Sequence, residues 1–518
     1  MKKMNLLVMS LVSAAALSFS SCSNNDDLGG GAGTQSQVKG FYMTLAVQTP
    51  TSNGTRTSIV KPTEDATAEE AAVKNGTFYL VDANGAVVFS KTLSAADWAG
   101  ASGAIKDPTT AAKDGKTTLK IEVENVAAGA TYRVYFKAGS TRMDAVEPIT
   151  IATGTSKTGI FTADGIKQTF TGNTCAVANN FSMFNQNDAT TNGNGYTVTF
   201  TNENKEGADN FKAAEVKYDG KTAPIKIERV TARVDVPTSA VTLKGEYPAN
   251  ASQALKNAID DAKKKVTKIE LVQYALSNVT NKTYVMQNWN KAESGWSLLI
   301  PGDATLSQTK TDFGEKYLFK DGGFKALTGA TNDYIFENNK DEATAMYFEY
   351  KVTLDANQFK NTAGELLPAD FTDGTFYRYN NVIYTSFDQI MKAYKDVTGL
   401  FEGKTATALQ KELKEAKTKP TAETEKSVET KLSEFRAKYG IEVFNEGKTY
   451  YKQVITDNQL SKNVIQRNTI YRLQVNKIFN VGAQVPNGEI DKNGLFYLDV
   501  TVTVNPWVLN TQNVELGD

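Results

Sequence analysis

Leu498-Asp499-Val500-Thr501-Val502-Thr503-Val504-Asn505-Pro506-Trp507 alternates apolar and polar residues strictly over 498–504. That period of two is the signature of a half-buried strand. Pro506 has no N–H to donate to a ladder, so it ends this strand or places it on a sheet edge. A second β-prone stretch follows Pro506 and runs almost to the last residue. The same alternation recurs upstream in Thr117-Thr118-Leu119-Lys120-Ile121-Glu122-Val123, Thr131-Tyr132-Arg133-Val134-Tyr135-Phe136 and Tyr196-Thr197-Val198-Thr199-Phe200. Phe78-Tyr79-Leu80-Val81 and Val87-Val88-Phe89 flank Asp82-Ala83-Asn84-Gly85. Asn-Gly tolerates the positive φ of a tight turn, so a hairpin is expected there. Strands are also expected at Tyr450-Tyr451-Lys452-Gln453-Val454-Ile455 and Ile470-Tyr471-Arg472-Leu473-Gln474-Val475. Short strands separated by turn signals predict a mainly β chain built of sandwiches rather than a parallel sheet.

Two regions break this pattern. Leu255, Ala258, Ile259, Ala262 and Val266 form one apolar helical stripe. Residues 386–439 carry three more: Phe387, Ile390, Met391, Tyr394 and Val397; Leu409, Leu413 and Ala416; and Val428, Leu432, Phe435 and Tyr439. Lys and Glu fill the outer faces. These stripes are expected to pack against the sandwich or each other, with partner binding as the alternative.

The 518 residues are 40% apolar and 22% charged, with a net charge of −1. Such a chain is globular and long enough for two or three cores. No basic tract follows the first residues, so nucleic-acid binding has no electrostatic footprint. Histidine is absent altogether, which removes Ser-His-Asp, Cys-His and His-based zinc chemistry. No GxxxxGK[ST] or GxGxxG segment occurs, and the Asp/Asn clusters at 202–210 and 338–342 lack calcium-loop spacing. Those clusters are expected to be solvated turns. No cofactor, metal or catalytic site is expected.

Lys2 and Lys3 precede a short apolar stretch, then Leu17-Ser18-Phe19-Ser20-Ser21-Cys22. This is the layout of a secretory signal (residues 1–21). It resembles a bacterial lipobox, in which the Cys22 thiol is acylated, with palmitate among the chains, and becomes the new N-terminus. Residues 22–36 then form a polar tether with almost nothing to pack. The only other cysteine is Cys175, so with Cys22 acylated no intrachain disulfide forms.

Ile227-Glu228-Arg229-Val230-Thr231-Ala232-Arg233 resembles the V-E-R-x-x-A-R stretch of the fimbrilins of type V pili. Gln466-Arg467-Asn468-Thr469-Ile470-Tyr471-Arg472-Leu473-Gln474-Val475 resembles their R-N-x-x-Y-x-I-x-I, and 500–507 their V-x-V-T-V-x-P-W. With the lipobox, these lie in family order over nearly the whole chain. The chain therefore resembles the fimbrilin family, and within it the Mfa-type short-fimbria shaft subunit. The helical segment at 386–439 is less familiar in that family.

The resemblance implies two tandem transthyretin-like β-sandwich domains, at 37–236 and 237–518, the second with the helical insertion. It implies a lipoprotein precursor on the outer membrane and a structural, non-enzymatic role in a fimbrium. A trypsin-like protease would remove the first strand, about 39–48, and the opened groove would accept the terminal strand, about 507–518, of another copy. Phe41-Tyr42-Met43-Thr44-Leu45-Ala46-Val47-Gln48 fits that first strand, with Met43, Leu45 and Val47 on one face. Residues 49–67, rich in Thr, Ser and Pro, form a nickable stretch. It contains Arg56, the first arginine of the chain, before Thr57; Lys39 and Lys61 are the alternative basic sites. The donor anchors are Trp507, Leu509, Val514 and Leu516. Partners would be further copies head to tail, the protease, and tip and anchor subunits. The rival reading is a monomeric surface lipoprotein that binds glycans or a host protein and keeps its lipid and first strand. A carboxylate-dependent glycosidase has no recognisable site.

Overall fold

The strand at the start of the fold, β1 (Phe41–Gln48), buries Phe41, Met43, Leu45 and Val47 and turns the residues between them outward. The computed structural model describes residues 40–48, 64–65, 67, 70, 76–93, 116–139, 169–171, 175–176, 178, 181–186, 195–239, 243, 247, 250–292, 295–307, 323–422, 425–457, 462–486 and 498–508. After the short β2 (Glu64–Asp65) comes the expected hairpin of β3 (Gly76–Val81) and β4 (Val87–Leu93). In its turn Asp82 Oδ1 accepts from Asn84 N at 2.9 Å and Ala86 N at 2.8 Å, and Gly85 takes a φ of 83°.

Further strands complete a first pair of layers: β5 (Lys116–Val123), β6 (Thr131–Ala138), β7 (Met183–Asn185), β8 (Tyr196–Thr199), β9 (Ala214–Glu215) and β10 (Ile225–Arg229). β5 runs antiparallel along β1, while β6 pairs with β3, β7 and β8. β10 joins the layers: Ile225 and Lys226 pair with β1, and Ile227 to Arg229 with β7. Between the layers lies a core that includes Met43, Leu45, Ile121, Phe78, Leu80, Val134, Phe136 and Val198. The alternation of β6 breaks down after Arg133, because Tyr135 is buried on the opposite face among Phe184, Val285, Met286 and Phe336.

The chain passes from β10 to β11 (Ala232–Val234) through Val230 and Thr231 and so changes sheets. α1 (Gln253–Lys265) is capped by Ser252, whose hydroxyl accepts from Leu255 N. It buries Leu255, Ala258, Ile259 and Ala262, but Val266 already begins β12 (Val266–Ser277), so the stripe ends one residue early. β13 (Asp333–Ile335) pairs with β11. β14 (Ala345–Leu354) pairs with β12 over its whole length.

The helical insertion sits between β15 (Phe376–Tyr379) and β16 (Glu442–Phe444), which are paired neighbours. It contains α2 (Phe387–Ala393), α3 (Ala406–Ala416) and α4 (Val428–Tyr439). Ser386, Thr405 and Ser427 cap them, each accepting from the backbone N–H three residues on. Gly440, at φ 69°, ends α4. Phe387, Ile390, Leu409, Leu413, Leu432, Phe435 and Tyr439 form a core of their own with Tyr377 and Val443. The stripes thus pack mainly against each other and the β15–β16 pair. Val397 is the exception at 50% exposure, since α2 ends at Ala393 and the stripe does not extend past it.

β17 (Lys448–Val454) pairs with β14, and β18 (Thr469–Ile478) pairs in parallel with β11. β19 (Leu498–Val508) runs antiparallel along β18, from Leu498 opposite Ile478 to Pro506 opposite Thr469. Pro506 therefore does not end the strand. The edge alternative holds instead, because on its other side β19 meets, among the described residues, only β2, at Trp507 and Val508. A second core, with Val234, Ile269, Phe348, Tyr350, Tyr451, Tyr471 and Leu473, fills the space between these sheets. Two of the Asn-rich turns are not simply solvated. Asn338 is buried, donating to Asn278 O at 3.1 Å and Thr344 Oγ1 at 3.0 Å, and Asn204 is buried and donates to Lys212 O at 2.6 Å.

Candidate assembly groove and the buried charge network beneath it

β1 is hydrogen-bonded on both edges. On one side Phe41 to Gln48 lie opposite Val123 to Lys116 of β5. On the other, Met43 and Thr44 lie opposite Ala214 and Glu215 of β9, and Val47 and Gln48 opposite Ile225 and Lys226 of β10, both in parallel. Among the described residues β5 has no strand partner other than β1. Taking β1 away would leave a slot with β5 as one wall and β9 and β10 as the other. Its floor would be the apolar core that Met43, Leu45 and Val47 now fill, each at most 4% exposed. Phe41 closes one end, its ring 5.6 Å from that of Phe200 in an edge-on contact.

The outer face of β1 is polar and rimmed by charge. Tyr42 packs edge-on against Phe211 at 5.7 Å and donates to Glu206 Oε2 at 3.3 Å. The Lys120 ammonium stands 4.8 Å from the Tyr42 ring and 4.3 Å from that of Phe211. Each buried anchor of this strand is worth roughly 1.5–3 kcal/mol. Ladder bonds add about 0.5–1.5 kcal/mol each. Any replacement must therefore supply apolar side chains at every second position.

Below this slot the two sheets meet at a set of buried charges. Arg229, wholly buried, donates from Nε and Nη2 to Glu70 O at 3.2 and 3.1 Å and from Nη1 to Asn468 Oδ1 at 3.2 Å. Burial lowers its pKa to about 9, which leaves it cationic at neutral pH. Arg233 donates from Nη1 to both oxygens of the Glu70 carboxylate, at 3.2 and 2.9 Å, and from Nε to Asp235 Oδ1 at 2.7 Å. Tyr334 donates to Glu70 Oε1 at 2.7 Å, and Arg472 donates to Asp235 Oδ2 at 2.6 and 3.0 Å. A second pair, Arg467 and Glu337 at 2.9 Å, has no exposed side-chain surface. Arg467 also donates to Val285 O at 2.9 Å, while Thr283 Oγ1 and Gln287 Nε2 donate to Glu337 at 2.9 and 2.5 Å. Arg229, Arg233, Arg467 and Arg472 are the arginines of the sequence stretches quoted for the family. In the fold Arg229, at the end of β10, reaches across to Asn468 beside the other sheet.

Sequence reasoning missed Glu70, the centre of this network. Its one local signal is Thr67-x-x-Glu70, a capping box: Thr67 N donates to Glu70 Oε2 at 2.8 Å and Glu70 N to Thr67 Oγ1 at 3.3 Å. Met43, Leu45 and Val47 share one core face, as their spacing predicts. Trp507 has its backbone in β19, opposite Glu64. Cys22, Arg56, Thr57, Leu509, Val514 and Leu516 lie outside the described residues.

Among the described residues no group of three or more His, Cys, Asp or Glu could hold a metal, and no helix is long and apolar enough to cross a membrane. Cys175 is buried, and burial pushes its thiol up to about 12. It is expected to resist a thiol reagent at pH 8 in the native protein and to react fully in denaturant. Rapid native labelling would show that the packing of Cys175 against Val285 and Phe336 opens readily.

Residues 42–229 match the family model of the major fimbrial subunit protein FimA. Residues 442–513 match that of the major fimbrial subunit protein type IV, fimbrillin, C-terminal. Together the two matches take in half of the chain and both of its ends within the fold, and the chain belongs to this fimbrilin family. No curated protein matches the chain. Among solved structures, a fimbrilin of Porphyromonas gingivalis is similar at 15% identity and a TM-score of 0.40, over 92% of this chain and 100% of that one. A candidate cell adhesion protein of Parabacteroides distasonis is similar at 14% identity and a TM-score of 0.43, over 92% and 100%.

Proposed function

We propose that this chain is a structural shaft subunit of a cell-surface fimbria, polymerised by donor-strand exchange after proteolysis. It is made as an outer-membrane lipoprotein acylated at Cys22. It is organised as two transthyretin-like sandwiches, 37–236 and 237–518. Cleavage between Arg56 and Thr57 by a trypsin-like protease frees β1. The segment from Trp507 of another copy then enters the slot, with Leu509, Val514 and Leu516 as further anchors. Repeated head to tail, the contact is heterologous and does not close, so a filament grows. Tip and anchor subunits complete it, and no nucleic acid or cofactor takes part.

The observation that carries this reading is the seating of β1. It is the first strand among the described residues, it is paired on both edges, and four of its side chains enter the core. A terminal strand can leave without cutting any other strand of the sheet.

The test is the mass and N-terminal sequence of protein extracted from the cell surface, in the parent and in Arg56→Ala. The parent is expected to begin at Thr57 and to run as polymer ladders. Arg56→Ala is expected to stay longer and monomeric, with polymer reduced at least about tenfold, as tight seating of β1 demands. A variant that polymerises normally and still begins at Thr57 would refute the assignment. A mature product that keeps Cys22 and its lipid would refute the reading as a whole.

A further inference from the structure

The segment from Glu64 to Glu70 touches both ends of the proposed mechanism. Its β2 lies in parallel against the end of β19, Glu64 opposite Trp507 and Asp65 opposite Val508. Glu70, only 2% exposed, fixes its downstream end: the carboxylate accepts from Arg233 and Tyr334, and the carbonyl accepts twice from Arg229. Upstream it leads back to Gln48, the last residue of β1. So one stretch of chain leads from the strand that fills the slot to the buried charges, and at Glu64 and Asp65 it pairs with the terminal strand.

We infer that this segment is a latch on the donor. Resting on the donor-strand reading, it holds Trp507 and Val508 to their own subunit and sets how fast they are released. A pairing of two residues is weak by itself. Its strength comes from tethering, because a strand held close re-forms its ladder at high effective concentration. In the uncut chain both ends are tethered, by β1 and by Glu70. A cut between β1 and β2 removes the first tether and keeps the second. The cut that empties the slot therefore also loosens the donor, so acceptor and donor become competent together. Glu70 keeps the latch on the subunit afterwards, as a brake on release rather than a block.

The test uses the full chain with Asp65→Cys and Val508→Cys. Cys175 is buried and does not compete for oxidation, and Cys22 departs with the first strand. The oxidised protein is expected to cross-link, to be cut normally and to form no ladders until reductant is added. Oxidised protein that polymerises as fast as reduced protein overturns the latch, as does a pair that fails to cross-link in the folded monomer. A second variant, Glu64→Pro with Asp65→Pro, takes both N–H groups out of the β2 ladder and leaves the Glu70 contacts in place. It is expected to polymerise about three- to tenfold faster after the cut; an unchanged rate also overturns the latch. A chain truncated after Pro506 separates the two ideas. If that chain polymerises, the donor-strand reading itself has failed.

Discussion

Truncated after Pro506, the chain is expected to fold as the parent does and to form no polymer. The ladder between β18 and β19 keeps every pair from Leu498–Ile478 to Pro506–Thr469. The strand that completes the sheet is therefore retained, and only the pairing of Trp507 and Val508 with β2 is lost. At about 0.5–1.5 kcal/mol per bond, that loss moves the melting temperature by a few degrees. The anchors Trp507, Leu509, Val514 and Leu516 all go. Four apolar side chains at roughly 1.5–3 kcal/mol each would together contribute about 6–12 kcal/mol to a filled slot. Loss on that scale takes assembly below detection. Heat- and detergent-resistant ladders on a gel, beside a melting curve of the monomer, measure both halves of the expectation. A truncated monomer that melts far below the parent would show that the tail belongs to its own fold.

Replacing Glu337 by Leu is expected to be the most damaging single change within the fold. Arg467, whose side chain has no exposed surface, would lose the carboxylate it is paired with. Breaking one side of such a pair costs about 3–5 kcal/mol. Two further donors, Thr283 Oγ1 and Gln287 Nε2, would lose their acceptor as well. The midpoint of denaturant unfolding reads the effect directly. The double change Glu337→Leu with Arg467→Met is expected to recover much of the loss, because it removes the buried charge rather than orphaning it. A single variant within 1 kcal/mol of the parent, on the order of an exposed pair, would mean that solvent reaches the site.

Local pattern and long-range pairing were legible to different degrees. The hairpin at Asp82-Ala83-Asn84-Gly85 can be read from four residues because its own side chain and its own glycine make the turn. The strands β5 and β8 announce themselves by alternation, since each has one face on a core. Tyr135 does not follow the pattern because a second core covers the other face, built from Val285 and Phe336, far away in the chain. Val397 belongs to a stripe only if α2 continues, and Tyr394 ends it. The inward face of β1 was legible from Met43, Leu45 and Val47. Its two walls were not, because the partners of one edge, near 120, and of the other, near 214 and 225, follow from topology and not from periodicity. Arg229 and Arg233 could be matched to a pattern, but their reason is Glu70, more than 150 residues earlier. A single acidic residue in a polar stretch carries no sign of such a partner.

β18 supplies neighbouring residues to different cores: Ile470 is buried in the first, and Tyr471 and Leu473 in the second. Around it Arg229 reaches Asn468 and Arg233 reaches Glu70 across the same boundary. Relative rotation of the two halves would pull Ile470 from its socket and strand buried charges, so the boundary resists bending. In a filament of such units, flexibility would have to reside at the joints between copies, which on the donor-strand reading would each be a single inserted strand. The persistence length of the fibre would then be set by those joints, and each subunit would act as a rigid link in a chain.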